Sequence, residues 1–257
     1  MDYNYHTHTY RCRHASGTEE EYILQAIGGG IRYMGFSDHF PLRFADGHES
    51  TYRVPTASAS EYYSTIDALR QKYGDKIDIK IGYEMEYYST MFDEMLEKAR
   101  SYGAEYLILG QHFFAPEHPV GNHSIKPHED PAEMRAFADS LIEAMSKGVF
   151  TYIAHPDMFN YTGDVSVYQR EQRRVCIAAR ETDTPLEINF LGIRDRRIYP
   201  DEVFWQIAGE EKAPVTFGFD AHDVPAACDR DSLPKAEALV KKYNLNYIGR
   251  PKLRSIK

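Results

Sequence analysis

The sequence is short of cysteine and of long apolar stretches, and these shortages exclude several classes of protein. Its three cysteines, Cys12, Cys176 and Cys228, are widely spaced and odd in number, which is typical of a reduced cytoplasmic protein and not of a disulfide scaffold. No apolar run approaches the roughly 18 to 20 residues of a transmembrane helix, so we expect no membrane partner. Residues 1–3 are neither basic nor followed by an apolar segment, and we expect no signal peptide.

Positive charge is also scarce. The chain has 30 lysines and arginines against 39 acidic residues, a formal net charge of −9. This balance argues against a general nucleic-acid binder, although it leaves room for a local basic pocket that takes a small phosphorylated substrate. A length of 257 residues suits one barrel-sized domain or two small ones. Because no linker, low-complexity segment or internal repeat marks a boundary, we predict one domain over residues 1–257.

Apolar, strand-like runs alternate with helix-length segments along the chain. The first predicted helix begins after Thr18, a candidate N-cap with Glu21 completing a capping box, and ends at the glycines 28–30. Another helix is predicted over Ala59–Tyr73. Such alternation is typical of βαβ units around a parallel sheet. The number of units favours a closed barrel over an open doubly wound sheet.

Nearly every predicted strand ends at a polar or metal-capable side chain. The strand ends carry His6 and His8, His39, Glu84, His112, His155, Asn189, and Asp220 with His222. Residues i and i+2 of a strand point to the same side, so His6 and His8 can bind one cation together. A single histidine at a strand end is usually an ordinary surface or core group. Because a barrel gathers its strand ends at one face, the repeated placement predicts a metal site there.

The remaining histidines, His48, His118, His123 and His128, lie in long loops. We expect them to be solvated, with a contact between a lid and the substrate as the alternative. Residues 115–130 are a candidate lid, and residues 160–161 are a candidate wall of the site.

These segments together resemble the polymerase and histidinol phosphatase (PHP) superfamily. The resemblance covers nearly the whole chain and is carried by His6-Thr7-His8, His14, Ser37-Asp38-His39, Gly82-Tyr83-Glu84, Gly110-Gln111-His112, Ala154-His155-Pro156-Asp157 and Asp220-Ala221-His222. It implies a distorted (β/α)7 TIM-like barrel with a trinuclear metal centre at the C-terminal ends of the strands. Residues 186–189 and 192–194 are also similar to the histidinol-phosphate phosphatase branch, which removes phosphate from L-histidinol phosphate in histidine biosynthesis.

The resemblance implies three divalent ions, with zinc, iron and manganese as the candidates. It assigns His6, His8, Glu84 and Asp220 to one ion, Glu84 as a bridge with His112 and His155 to a second, and His14, His39 and His222 to a third. Imidazole-rich ligands suit these metals better than calcium or magnesium. A bridging carboxylate commonly holds two cations about 3.5 to 4 Å apart.

The expected reaction is hydrolysis of a phosphate monoester by a hydroxide that bridges two of the ions. A net charge of roughly +3 at such a site would attract a phosphate dianion even to an acidic protein. Arg194 is the first candidate to bind the phosphate, with Arg196 and Arg197 beside it and with Arg11 and Arg13 as weaker candidates. Asp220, His222 and a metal-bound water are the candidates that protonate the leaving group, so the expected catalytic residues are Glu84, Asp220, His222 and Arg194.

Two alternatives stay open. One is a PHP phosphoesterase that acts on a nucleotide or an oligonucleotide 3′ end, with Tyr161, Tyr168 and Tyr199 as possible stacking groups. The acidic composition argues against it. The other is a non-catalytic metal-binding PHP module, and the occupied ligand positions argue against that. The oligomeric state is not predictable from the sequence.

Overall fold

A computed structural model describes residues 1–256 and shows a curled sheet of parallel strands with helices between them. The strands are β1 Tyr3–Asn4, β2 Tyr33–Phe36, β3 Asp78–Met85, β4 Tyr106–Leu109, β5 Phe150–Ile153, β6 Leu186–Asn189, β7 Pro214–Gly218 and β8 Asn246–Tyr247. The helices are α1 Glu19–Gly28, α2 Ala59–Tyr73, α3 Phe92–Ser101, α4 Pro131–Ser146, α5 Val165–Glu181, α6 Phe190–Asp195, α7 Glu202–Glu211 and α8 Leu233–Tyr243.

The strands follow one another across the sheet in chain order, and each neighbouring pair is parallel. A backbone bridge between Thr7 and Ala221 joins the chain after β1 to the chain after β7. In this bridge the amide of His8 donates to the carbonyl oxygen of Ala221 over 2.9 Å. The sheet therefore curls until its first and seventh strands meet, which confirms the predicted distorted barrel.

The capping box at Thr18 and the bounds of α2 agree with the sequence predictions. The hydroxyl of Thr18 accepts from the amide of Glu21, and the Glu21 carboxylate accepts from the amide of Thr18 over 2.7 Å, which completes the capping box. Helix α2 has the predicted bounds. The short helix α6 is not predicted, because six residues are too few to show a helical period. Its cap is Asn189, whose side-chain oxygen accepts from the amide of Gly192 over 3.0 Å.

Tyrosine side chains fill part of the space enclosed by the strands. Tyr3, Tyr5, Tyr106 and Tyr152 pack together with Ile108 and Ala154 in a small buried cluster. The hydroxyl of Tyr106 donates to the carbonyl oxygen of Tyr5 over 2.9 Å, so its buried polar atom is satisfied. Each of these residues precedes a candidate ligand along the chain, and Tyr3, Tyr106, Ile108 and Tyr152 lie on the strands themselves. The tyrosine layer therefore forms the floor on which the site is built.

A larger apolar core lies between the sheet and the helices and includes Trp205, Phe137 and Phe150, each fully buried. Among residues 1–256, no helix has both the length and the hydropathy needed to span a membrane.

Candidate metal centre

The strand ends bring the predicted ligands together in one concave site at the C-terminal face of the barrel, called the bowl. Nε2 of His6 and Nε2 of His8 each lie 3.4 Å from Oδ1 of Asp220. The same two nitrogens lie 3.6 Å and 3.5 Å from the two carboxylate oxygens of Glu84. Regular strand pairing ends at Asn4, earlier than predicted, because Thr7 makes only an isolated bridge. The two rings nevertheless point to the same place, as the i, i+2 spacing predicts.

Glu84 is the centre of this arrangement. Its carboxylate is 1% exposed and faces the rings of five histidines. Nε2 of His155 and Nε2 of His112 lie 2.9 Å and 3.5 Å from Oε1, and Nδ1 of His39 lies 3.0 Å from Oε2. Gly110 makes room for this carboxylate, because a Cβ at position 110 would lie 1.9 Å from Oε1 of Glu84.

His14 and His222 form the outer part of the site. Their Nε2 atoms lie 3.1 Å apart. Nδ1 of His14 faces the carbonyl oxygen of Cys12 at 3.0 Å, and Nδ1 of His222 faces that of Asp220 at 3.3 Å. A nitrogen that faces a carbonyl oxygen carries the proton, so both Nε2 atoms are acceptors. Two acceptors this close to each other call for a cation between them.

The donor set as a whole fits metal ions. Among the buried atoms without a hydrogen-bond partner, five converge on the middle of the bowl, namely Nε2 of His6, Nε2 of His8, Nδ1 of His39, Oε2 of Glu84 and Oδ1 of Asp220. Buried polar atoms nearly always have a partner. These atoms also converge on one another, so ions coordinated between them would satisfy all five at once. Imidazole nitrogens with a few carboxylate oxygens are typical ligands of transition metals.

Several sets of ligand atoms lie within 4.8 Å of one another. They are His6, His8 and Glu84; His14, His39 and His222; His39, Glu84 and His112; His6, His155 and Asp220; and His8, Cys12 and His222. The first two sets agree with the grouping that the resemblance implies. The third and fourth place His112 and His155 in separate sets, although both rings face Oε1 of Glu84.

Three carboxylates stand behind the rings of the candidate ligands. Glu187 accepts from Nδ1 of His6 at 2.8 Å, and Glu86 lies 2.9 Å from Nδ1 of His112. Asp38 lies 3.6 Å from Nδ1 of His8. Such partners orient a metal-binding imidazole and raise its basicity. Sequence reasoning missed their role, although the positions of Asp38 and Glu86 next to predicted ligands were a usable signal.

The electrostatics of the bowl favour cations. Burial disfavours a charged His6, but the carboxylates of Glu187, Asp220 and Glu84 outweigh it and raise the pKa of His6 to about 10. Burial likewise opposes charge on Glu84, yet the neighbouring rings of His112 and His39 hold the pKa of that carboxyl well below its usual range. Glu84 is therefore ionised and strongly attracts positive charge.

Two candidate ligand positions have an unusual backbone. His155 has a φ of 31° and Asp220 a φ of 46°. Both values lie in the left-handed region, which costs a side-chain-bearing residue roughly 1 to 3 kcal/mol. Backbone strain of this kind clusters at functional sites, and here it belongs to residues that face the centre of the bowl.

A cavity of about 1000 Å³ opens above these ligands. Among the arginine candidates, Arg13, Arg194 and Arg197 line it. Arg194 donates to Asp229 over 2.8 Å, and Arg197 donates to the hydroxyl of Tyr199 over 3.1 Å.

The other two arginine candidates lie elsewhere. Arg196 is exposed and outside the cavity wall, because it is the left-handed residue that ends α6. Arg11 is buried and paired with Glu19. The structure therefore narrows the phosphate-binding candidates to three.

Two of the four loop histidines, His123 and His128, depart from the expected solvated state. His123 and Ile125 line the cavity, so part of the predicted lid faces the site. Nδ1 of His123 accepts from the amide of Ile125 over 3.2 Å. Of the other loop histidines, His48 stacks on His118, and His118 pairs with Asp46. His128 is buried, not solvated as expected, and pairs with Glu133 of α4.

Asn160 and Tyr161 do not form a wall of the main cavity as predicted. They line a separate cavity of about 230 Å³ together with Tyr168. Met158 still lines the main cavity, and the residues that follow it line the separate one. The carboxylate of Asp157 accepts from the amide of Asp201 and from the indole of Trp205. Of the three tyrosines considered as stacking groups, only Tyr199 lines the main cavity.

Parallel strands that gather histidines and carboxylates at their C-terminal ends define a class of metal-binding barrels. Within that class, the family model of the PHP domain matches residues 4–190, and the chain belongs to the PHP domain family. It is 25% identical over 226 residues to a probable histidinol-phosphatase of Deinococcus radiodurans, across 84% of this chain and 85% of that protein. It is 27% identical over 248 residues to a probable histidinol-phosphatase of Schizosaccharomyces pombe, across 86% and 81%.

The fold is shared with a histidinol phosphate phosphatase from Lactococcus lactis, whose crystal structure contains zinc, L-histidinol and phosphate. The TM-score is 0.72 at 19% identity, and the match covers 99% of this chain and 97% of the other. The structural match therefore includes the part of the chain that carries Asp220 and His222, which lies beyond the family model.

Proposed function

We propose that this chain is a metal-dependent phosphate monoester hydrolase that acts on L-histidinol phosphate and serves histidine biosynthesis. The observation that carries the proposal is the bowl of unpartnered histidine and carboxylate atoms beneath a cavity lined by Arg13, Arg194 and Arg197. The similarity to histidinol-phosphatases over more than four fifths of the chain supports the choice of substrate.

Three divalent ions would be held by the predicted ligands, with Glu84 shared between two of them. Zinc has the most support, because the Lactococcus lactis relative contains it, and iron or manganese would suit the same donors. When bound, such ions supply Lewis-acid stabilisation of a phosphoryl group and activate water near neutral pH. The ligand carboxylates Glu84 and Asp220 cancel only part of the ions' charge, which leaves the bowl attractive to a phosphate dianion.

The chain's own residues would bind and orient the substrate. The guanidinium groups of Arg194 and Arg197 would contact phosphate oxygens and stabilise the charge that develops during transfer. Asp195 and Asp223 also line the cavity, and their carboxylates would complement the cationic amine of L-histidinol. The leaving alkoxide needs a proton. Burial opposes charge on Asp220, but the neighbouring ring of His6 holds the pKa of that carboxyl well below its usual range, so of the two candidate donors His222 is favoured, and its Nδ1 lies 3.2 Å from Oδ1 of Asp220.

A screen for phosphate release tests the choice of substrate. The purified, metal-analysed protein would be assayed with L-histidinol phosphate, common sugar phosphates, nucleoside monophosphates and a short oligonucleotide. We expect kcat/KM for L-histidinol phosphate to exceed the others at least a hundredfold. Faster cleavage of a nucleotide or of the oligonucleotide would favour the alternative phosphoesterase, and bound metal without turnover of any ester would favour a non-catalytic module.

A further inference from the structure

A buried arginine stands behind the proposed ligand His112. Arg53 is 1% exposed, and its Nη1 lies 2.7 Å from Oε2 of Glu86. The other oxygen of Glu86 faces Nδ1 of His112 at 2.9 Å. On its far side, Arg53 donates from Nε to Oε1 of Glu117 over 3.0 Å and from Nη2 to Oε2. His112, Glu86, Arg53 and Glu117 thus form one continuous chain of polar contacts.

The guanidinium joins three separate parts of the chain. Arg53 lies in the long loop between β2 and α2, and Glu86 follows directly after β3. Glu117 lies in the loop between β4 and α4 that also supplies His123 and Ile125 to the cavity wall. One side chain therefore contacts both the support of a proposed metal ligand and the loop that covers the substrate cavity.

Charge explains why an arginine occupies this position. Burial disfavours the ionised form of Glu117, but its hydrogen bonds with Arg53 lower the pKa of that carboxyl to about 2. A planar guanidinium can donate to two carboxylates at once, whereas an ammonium is a point charge without this fork. Because Oε2 of Glu86 forms an ion pair with Arg53, the other oxygen, Oε1, is turned towards His112 and can accept a hydrogen bond from Nδ1 of that ring.

We infer that Arg53 is a positioning residue that couples metal binding at His112 to the order of the loop over residues 113–125. The inference rests on the proposed metal centre. Through Glu86, Arg53 fixes the ring of His112 so that Nε2 points at Glu84. Through Glu117, it holds the cavity wall against the same support. Loading the centre with metal and ordering the loop then stabilise each other.

The test compares four variants with the wild type. Arg53→Lys keeps the charge and loses the fork, and Arg53→Met removes both. Glu117→Gln removes the negative charge that Arg53 meets on the loop and leaves Glu86 unchanged. Arg43→Met is the matched control, because Arg43 is an exposed arginine of the same long loop. Zinc affinity is measured by chelator competition, and amide hydrogen exchange over residues 113–125 is measured with zinc bound and with zinc removed.

In the wild type, zinc should slow exchange in residues 113–125 at least threefold. Arg53→Lys should weaken the binding of one zinc ion about 10- to 100-fold, the range typical of lost support behind a metal ligand, and should reduce the protection. Glu117→Gln should keep zinc affinity within about threefold but lose the zinc-dependent protection. Arg43→Met should behave as the wild type does.

Wild-type zinc affinity in Arg53→Lys, with only a lowered melting temperature, would overturn the inference and make Arg53 merely structural. Exchange that is insensitive to zinc in the wild type would overturn it as well. A wild type that binds no metal would instead overturn the proposed function, because the metal centre would not exist. That result differs from a wild type that binds zinc in a way that does not depend on Arg53. If Arg53→Met does not fold, Arg53→Lys and Glu117→Gln still decide the question.

Discussion

Nδ1 of His6 donates to Oε1 of Glu187 over 2.8 Å, across 181 positions of sequence. The other oxygen of Glu187 accepts from the amide of His155 over 3.1 Å. One carboxylate therefore orients the ring of one proposed ligand and the backbone of another. Position 218 must be glycine for this to work, because a Cβ there would lie 1.6 Å from Oε1 of Glu187.

We predict that Glu187→Gln lowers the affinity for metal about 10- to 100-fold and lowers kcat/KM to match. The neutral amide is a weaker acceptor for the proton of His6, so the ring loses basicity and a fixed direction. Metal titration followed by the phosphatase assay measures both effects. Glu181→Gln, at an exposed glutamate that ends α5, is the matched control. Unchanged metal affinity in Glu187→Gln would show that Glu187 does not support the centre.

Gly110→Ala should abolish activity while the barrel still folds. The added methyl group would occupy the place of the Glu84 carboxylate, 1.9 Å from Oε1, so the central ligand must move. Phosphate release and metal content measure the loss of the site, and circular dichroism shows whether the barrel still folds. Gly28→Ala is the control, because no atom lies within 4 Å of its Cβ position and alanine favours a helix. Full activity in Gly110→Ala would contradict the central place of Glu84.

The three neighbouring arginines should differ in their effect on substrate binding. Arg194→Ala and Arg197→Ala should each raise KM for L-histidinol phosphate at least tenfold, because each removes a guanidinium from the cavity wall. Arg196→Ala should leave KM within about twofold, since Arg196 lies outside that wall. Metal content is measured in parallel. If Arg194→Ala loses metal, the role of Arg194 is structural and does not concern the phosphate.

Stability should depend on pH through Glu117. The ordinary pKa of a glutamate is near 4.5, and Arg53 lowers that of Glu117 to about 2 in the folded protein. The ion pair therefore stabilises the fold fully above about pH 4.5, and this contribution is lost as the pH falls towards 2. The difference in free energy of unfolding between the wild type and Glu117→Gln should shrink between pH 6 and pH 3. A difference that stays constant over this range would show that Glu117 is not held ionised by Arg53.

Much of the site was readable from the sequence because the fold obeys a simple geometric rule. Parallel strands of a barrel end at one face, so His39, Glu84 and His155 could be placed together without knowledge of any distance. The i, i+2 spacing added His6 and His8 as a pair. Whether these side chains bind metal, and in which groups, stays a prediction.

The supporting contacts could not be predicted, because they join residues that share no local pattern. Glu187 meets His6 only after the sheet curls, and Arg53 meets Glu117 only where two long loops pack together. The wall expected from residues 160–161 was wrong because the chain leaves the main cavity after Met158 and these residues line a separate cavity. Residue spacing within one strand shows which side chains point the same way. Contacts between distant residues, such as Glu187 with His6, depend on how the whole barrel closes.

The most direct test of the account is reconstitution with metal. Protein stripped with a chelator would be titrated with zinc while ions bound per chain and phosphate release from L-histidinol phosphate are measured in the same samples, with Glu84→Gln alongside. We predict no release without metal, a rise in rate that saturates at three ions per chain, and neither full loading nor turnover in Glu84→Gln. Wild-type turnover in the stripped protein, or no turnover of L-histidinol phosphate with three ions bound, would contradict the account.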